Sequence, residues 1–548
     1  MTFTSLAFFG FVLAALVCYY ICPKRFRWIV LLTASFAFYS IVCFKYLPFI
    51  IFTILSTWAG GLWLEKEGKK RKAILKANKA DWTSDEKKQF KHRTMVRRRL
   101  ITALVLVLNF GILAVLKYYN FFAEWIGGIF NISLPFVTLL LPLGISFYTF
   151  QTMGYILDVY WEKTEPEKNI FKFALFASFF PQIVQGPIAI YNDLACQLYE
   201  GHDLRYENIK YGFQLILWGM FKKVIIADRM AVAINAILPV KNEMSNFYSL
   251  FVLLMYAGQL YLDFSGGIDI ARGVAEMFGI NMAENFRRPY FSKSVSEFWR
   301  RWHISLGHWL RTYLFYPIAV SKAFLRFGKW IGSLGPKHDD DIDLPADSLW
   351  GGFTFFQHLG RVLPGCIATI ITFLVIGMWH GANWRYAGYG LWNGIVIFFA
   401  MLFDPVFKWL LAKLKVRTKT FSWRLWQIAR TFVLIMVGFV FDLGYNMSDS
   451  IQMVVRCFDP APGSGNIMEK LLSFGLTEAD YIIIIAGLIT VFCVSLYQER
   501  SKVMVRTALD KQSVWFQWAV MIAGLLCIII FGQYGPGIAA NEFVYMQF

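Results

Sequence analysis

"IATIITFLVIGMWHGANW", residues 367–384, decides how the rest of the chain is read. From Ile367 to Trp379 it carries no charge, and it closes an apolar segment covering 360–378. A helix that crosses a bilayer needs roughly 20 predominantly apolar residues, so the segment has the length of a span. It ends on His380, with Gly381 and Asn383 just beyond. A titratable side chain at that depth is costly and defaults to a functional hypothesis. The bland alternative is an imidazole satisfied by a neighbouring helix at headgroup level, and the small flanking residues fit either reading.

The rest of the chain repeats the pattern. Further apolar segments lie at 4–21, 28–44, 47–64, 100–119, 136–157, 170–190, 209–238, 247–268, 384–405, 426–445, 480–497 and 513–530. The 548 residues are 57% hydrophobic and 16% charged, against about 25% charged in a soluble domain. Mean hydropathy is +0.49. These features predict an all-α polytopic membrane protein and a single domain over 1–548. Segments broken by Pro and polar residues, such as 170–190 with "PQIVQGP", are expected to be re-entrant, so we expect about 11 transmembrane helices plus re-entrant and amphipathic surface helices.

Charge sets the expected orientation. The net charge is +18, and residues 65–99 hold 14 Lys/Arg against 5 Asp/Glu. Such a cluster could bind nucleic acid, but beside spans it marks the cytoplasmic side, and we expect no nucleic-acid partner. "PKRFR" (23–27) follows the first span and the basic 65–99 loop follows the third. The N-terminus is therefore expected outside, and the first segment, with no basic n-region, is not read as a cleavable signal. The acidic, proline-containing stretch 335–350 reads as a soluble loop insertion. The eight cysteines show no zinc spacing and are read as small buried side chains, with neither metal nor disulfide framework.

A second histidine stands in "SEFWRRWHISLGHWLRTYLFYP" (296–317). Ser294 and Glu297 have capping-box spacing, and Phe298, Trp302, Leu306, Trp309, Leu310 and Tyr313 recur every three or four residues. This predicts a basic, Trp-rich amphipathic helix over 294–314, at the membrane surface or on the floor of a funnel. His303 lies on it beside Arg300, Arg301 and Trp302, and by pattern alone reads as an interfacial histidine. Neither G-x-S-x-G, H-E-x-x-H nor a P-loop is present.

Taken in order, the motifs resemble those of the membrane-bound O-acyltransferases, in particular the bacterial branch that acetylates alginate and other exopolysaccharides. The resemblance is carried by "LPLGISFYTFQTMGYILDVYW" (141–161), "QGPIAIYNDL" (185–194), "YLDFSGGIDIARGVAEMFGINMAENFRRPY" (261–290), 296–317, "MWHGANW" (378–384) and the C-terminal "FGQYGPGIAANEFVYMQF". It implies helices around a central channel, His380 as the catalytic histidine and His303 as a second one. It also implies an acetyl group moved from a cytoplasmic thioester, acetyl-CoA, to O-acetylate a secreted cell-surface polysaccharide. The expected setting is the bacterial cytoplasmic membrane, with polysaccharide synthase machinery and an extracellular esterase-like partner nearby. No bound cofactor is expected.

A histidine suits this chemistry because acyl transfer to a hydroxyl wants a base with pKa near 7, and either ring nitrogen could take the proton. Trp379 and Asn383 are the nearest oxyanion donors. Arg300, Arg301 and Trp302, with Arg287 and Arg288, are candidates for donor binding. The sequence departs from the branch at Thr312, often Asp, at Asn393-Gly394, often His-Gly, and at "YPIAVSKAF", often an LGG turn. Two rivals stand beside this reading. One is D-alanyl transfer to teichoic acid from a carrier protein, in a branch shorter after its His motif. The other is a transporter, whose buried polar groups would be spread over several helices.

Overall fold

The structure is a computed structural model that describes residues 2–137, 141–243, 246–335, 349–350, 354–458, 467–534 and 543. The regular secondary structure of the described residues is all helical, with no strand among them. Seven helical runs among them are long and apolar enough to cross a membrane, or eight if the bent pair Trp384–Leu402 and Asp404–Lys413 counts as one span. This is fewer than the eleven read from hydropathy, and two local features account for part of the difference. The first apolar helix, Leu6–Ile21, has only 16 residues, and Arg27–Cys43 and Leu47–Ala77 follow each other so closely that they count as one run.

Exposure separates these helices. Val514–Phe531 and Glu478–Ser501 are apolar yet mostly exposed, as side chains facing lipid should be. Asn246–Met277 and Phe355–His380 are far more buried and carry polar groups.

The basic 65–99 region consists of two helix ends and the turn between them. Leu47–Ala77 runs on past its apolar part, and Ser84–Phe130 starts at a capping box in which Thr83 and Glu86 satisfy each other's backbone N–H. The acidic 335–350 insertion lies largely outside the described residues. All eight cysteines are free; Cys366 is buried, whereas Cys18, Cys196 and Cys493 are exposed, contrary to the expectation of eight buried thiols.

The chain gathers into two compact units, each described by itself. One comprises residues 1–228, 261–284 and 487–547. Its core explains two of the quoted motifs as packing. Gly144 in "LPLGIS" has φ 68° and starts the Ile145–Tyr160 helix, and a Cβ there would lie 2.0 Å from the Ile183 carbonyl oxygen. Gln151 donates to the Phe176 carbonyl at 2.7 Å, and Gln182 donates to both Gln151 and the Pro187 carbonyl. The buried amides thus satisfy backbone that a broken helix leaves open.

The other unit comprises residues 229–260 and 285–486. Its centre is the antiparallel pair Phe355–His380 and Trp384–Leu402. A Cβ on Gly377 would lie 2.1 Å from the Tyr386 carbonyl oxygen, and one on Gly390 would lie 2.2 Å from that of Phe373. Small residues let the backbones touch, which is how helices associate where lipid removes the hydrophobic drive.

Candidate active site

His380 is the last residue of the Phe355–His380 helix, which opens at a capping box of Thr354 and Gln357. The turn after it is held by Asn383, whose Oδ1 accepts the Arg385 backbone N–H at 3.0 Å and caps the next helix. Gly381 has no room for a side chain, since a Cβ would sit 2.2 Å from the Tyr386 ring. The imidazole is buried, with ring centroids 5.0 Å from Tyr389 and 6.2 Å from Tyr386.

The 294–314 helix is not continuous. Val295–Arg301 and Ile304–Leu310 are separate helices, followed by a π-helical turn at Arg311–Phe315. The break falls at His303, which takes the left-handed conformation, φ 44°. Periodicity does not reveal the cause. Residues 285–287 run alongside the break and take its hydrogen bonds: the Arg287 N–H donates to the Arg301 carbonyl, and the Ile304 N–H to that of Asn285. Ser294 caps the first helix through the Glu297 N–H, while the Glu297 carboxylate accepts from the Lys293 N–H.

The break turns His303 into the interior. Its Nδ1 lies 3.3 Å from Asn285 Oδ1, which also accepts from the Ser305 N–H and hydroxyl at 2.9 Å each. Burial, with His380 close by, pushes the His303 pKa down to about 3, so its imidazole is neutral at pH 7. Trp379 stands beside both histidines, its ring centroid 6.0 Å from His303 and 5.4 Å from His380. Residues 77 positions apart are thereby gathered around one indole.

The other candidates separate by environment. Trp302 is buried in an aromatic cluster, stacked on Phe298 at 5.3 Å and edge-on to Phe286 at 5.0 Å. Arg301 binds Glu297 at 2.6 Å, and Arg300 is exposed. Asn393, where the branch often has histidine, accepts from the Trp299 indole N–H at 3.1 Å and donates to the Tyr389 carbonyl at 3.0 Å.

Sequence reasoning missed two side chains. Asn285 lies inside the quoted 261–290 stretch but carries no charge to draw notice. Asp442 lies in the apolar run "TFVLIMVGFVFDLGY" (431–445), where the rule that singled out His380 applies equally. Its carboxylate is buried, with Oδ1 3.9 Å from His380 Nδ1. Arg385 lies near it, donating to the Gly444 carbonyl and, at 2.7 Å, to the Tyr386 hydroxyl.

The two buried histidines lie within a polytopic helical protein, and comparison with known proteins gives its family. The model of the membrane-bound O-acyltransferase family matches residues 167–330. The chain is 30% identical over 510 residues, 92% of its length and 84% of the relative's, to "Probable alginate O-acetylase AlgI" of Pseudomonas syringae pv. tomato. It is 32% identical to the protein of the same name from Azotobacter vinelandii, over 84% of this chain and 78% of that one. It is 28% identical to "Peptidoglycan O-acetyltransferase" of Helicobacter pylori, over 72% and 68% of the two chains. The chain belongs to the membrane-bound O-acyltransferase family, and is a multi-pass membrane O-acyltransferase.

Proposed function

We propose that the protein moves an acetyl group from cytoplasmic acetyl-CoA for O-acetylation of a secreted cell-surface polysaccharide, with His380 as general base. The observation that carries this reading is the burial of His380 at the end of a span-length helix, gathered with His303 around Trp379. The relatives named for acetylating alginate and peptidoglycan support a glycan acceptor and an acetyl group. The chain sits in the bacterial cytoplasmic membrane with its N-terminus outside. We take its spans to number about eleven, with the 16-residue first helix and the broken helices among them.

The acceptor hydroxyl enters from outside, on the polymer itself or on an esterase-like extracellular partner that hands the acetyl group on. Its oxygen bonds to the thioester carbonyl carbon and the C–S bond breaks. The hydroxyl proton passes to His380 and then to the departing thiolate, leaving an ester and a free thiol. Trp379 is the oxyanion donor favoured here, because its indole stands beside both histidines. Arg287 and Arg300, both exposed, draw the donor phosphates.

The test is purified protein in nanodiscs supplied with acetyl-CoA. Wild type should transfer or hydrolyse slowly without any carrier. His380→Ala should lose about 10²–10⁴-fold in rate while still accumulating in the membrane. Near wild-type turnover by that variant would remove the base assignment. Turnover only with a charged carrier protein would favour D-alanyl-type transfer.

A further inference from the structure

We infer that Asp442 is a positioning residue for His380, forming an Asp–His pair that commits Nε2 to the acceptor hydroxyl. The inference rests on the acyl-transfer reading above and deepens it, since His380 by itself leaves open which nitrogen takes the proton.

Three observations carry it. The two side chains come from different helices, Phe421–Leu443 and Phe355–His380, and both are almost fully buried, with 1% and 4% side-chain exposure. Asp442 Oδ1 faces the Nδ1 edge of the ring at 3.9 Å and accepts no hydrogen bond among the described residues. A buried carboxylate oxygen without a donor is expensive, and such groups in native structures call for an explanation. Closing the gap to hydrogen-bond distance needs a shift of about 1 Å, and catalytic hydrogen bonds are often long before substrate binds.

The chemistry follows from the direction of approach. With Nδ1–H donated to the carboxylate, Nε2 is the basic nitrogen and points to the other side of the ring. When Nε2 takes the hydroxyl proton, the imidazolium that forms is stabilised by the adjacent negative charge. Asp442 acts only by holding and polarising the ring, the role of the acid in acid–base triads on unrelated folds. Among the described residues, the other charged or titratable groups facing the pair include Arg385, Tyr386 and Tyr389, from the Trp384–Leu402 helix, and His303. Arg385 keeps Asp442 from being a lone charge, and its guanidinium is also tied to the Gly444 carbonyl and the Tyr386 hydroxyl.

The experiment measures kcat, KM and the acid limb of the pH–rate profile for wild type, Asp442→Asn, Asp442→Glu and His380→Ala, per folded protein in nanodiscs. It uses whichever thioester wild type turns over, so failure of the acetyl-CoA assignment leaves this test intact. Asp442→Asn should lower kcat by about 10²-fold or more with KM changed little, and shift the acid limb to lower pH, because loss of the carboxylate makes His380 less basic. Asp442→Glu should restore the limb and part of the rate. An Asn variant with wild-type rate and limb overturns the inference, as does a loss of rate with an unmoved limb or one that Glu fails to recover. Turnover by His380→Ala would overturn the parent reading instead.

Discussion

His303 shows how much one residue's backbone matters. A non-glycine residue at φ 44° is uncommon, and such conformations gather at functional sites where the surroundings impose them. Its depressed pKa has a consequence for stability. The unfolded chain titrates near 6.5, whereas the folded site resists protonation down to about 3. The stabilisation is therefore complete above pH 6.5 and declines by about 1.4 kcal/mol per pH unit as pH falls towards the folded value. His303→Asn removes the titration and keeps a side chain that tolerates the left-handed region. Thermal melts in detergent at pH 8 and pH 5 should show a smaller acid-side loss for the variant than for wild type; equal losses would refute the buried neutral histidine. His380 was legible in the sequence because a titratable group stood at the end of an apolar run. The inward turn of His303 was not, because it depends on hydrogen bonds to residues 285–287.

At the scale of elements, the π-helical turn Phe221–Ala227 places two consecutive lysines in the interior. Lys222 donates to Ser265 and Asp269 at 2.8 Å each. Lys223 bonds Asp263 at 2.5 Å and Asp228 at 2.9 Å, with 1% of its side chain exposed. Wide helical turns of this kind are rare and put adjacent side chains where a regular helix would not. Removing one partner of a buried ion pair strands the other, at a cost of about 3–5 kcal/mol. Lys223→Met takes the cation from two buried carboxylates and should lower the melting temperature more than Asp263→Asn, which leaves Lys223 paired to Asp228. Melts of the detergent-solubilised variants check that order, and a milder Lys223→Met would argue that the cluster is not held by charge. Hydropathy found the 209–238 segment and the 65–99 charge cluster. It did not find the turn within the first, because nothing in the residue types marks a change from 3.6 residues per turn.

For the whole molecule, the asymmetry of Lys and Arg predicts the orientation in the membrane. The basic end of Leu47–Ala77 and the start of Ser84–Phe130 should lie in the cytoplasm, and the N-terminus outside. Single cysteines at Thr2 and Lys76 in a cysteine-free background, labelled on whole cells with an impermeant maleimide, should react at position 2 and not at position 76. The reverse pattern would invert the topology. Three of the eight native thiols are exposed, so the cysteine-free background is needed for the readout.

The sequence by itself determined the helical membrane class, because apolar runs of span length leave no other way to satisfy backbone polar groups in lipid. It determined the family through motifs whose residue types and order are read without coordinates, and it singled out His380 and His303. Only the tertiary structure decided that both histidines flank Trp379, that Trp302 is core, and that the predicted amphipathic helix breaks in two. It also decided that Asp442, 62 residues beyond His380, faces the imidazole. The physical reason is the same in each case: composition and spacing act within one helix, while these contacts are made between helices, where close glycine packing and cross-chain hydrogen bonds set the geometry.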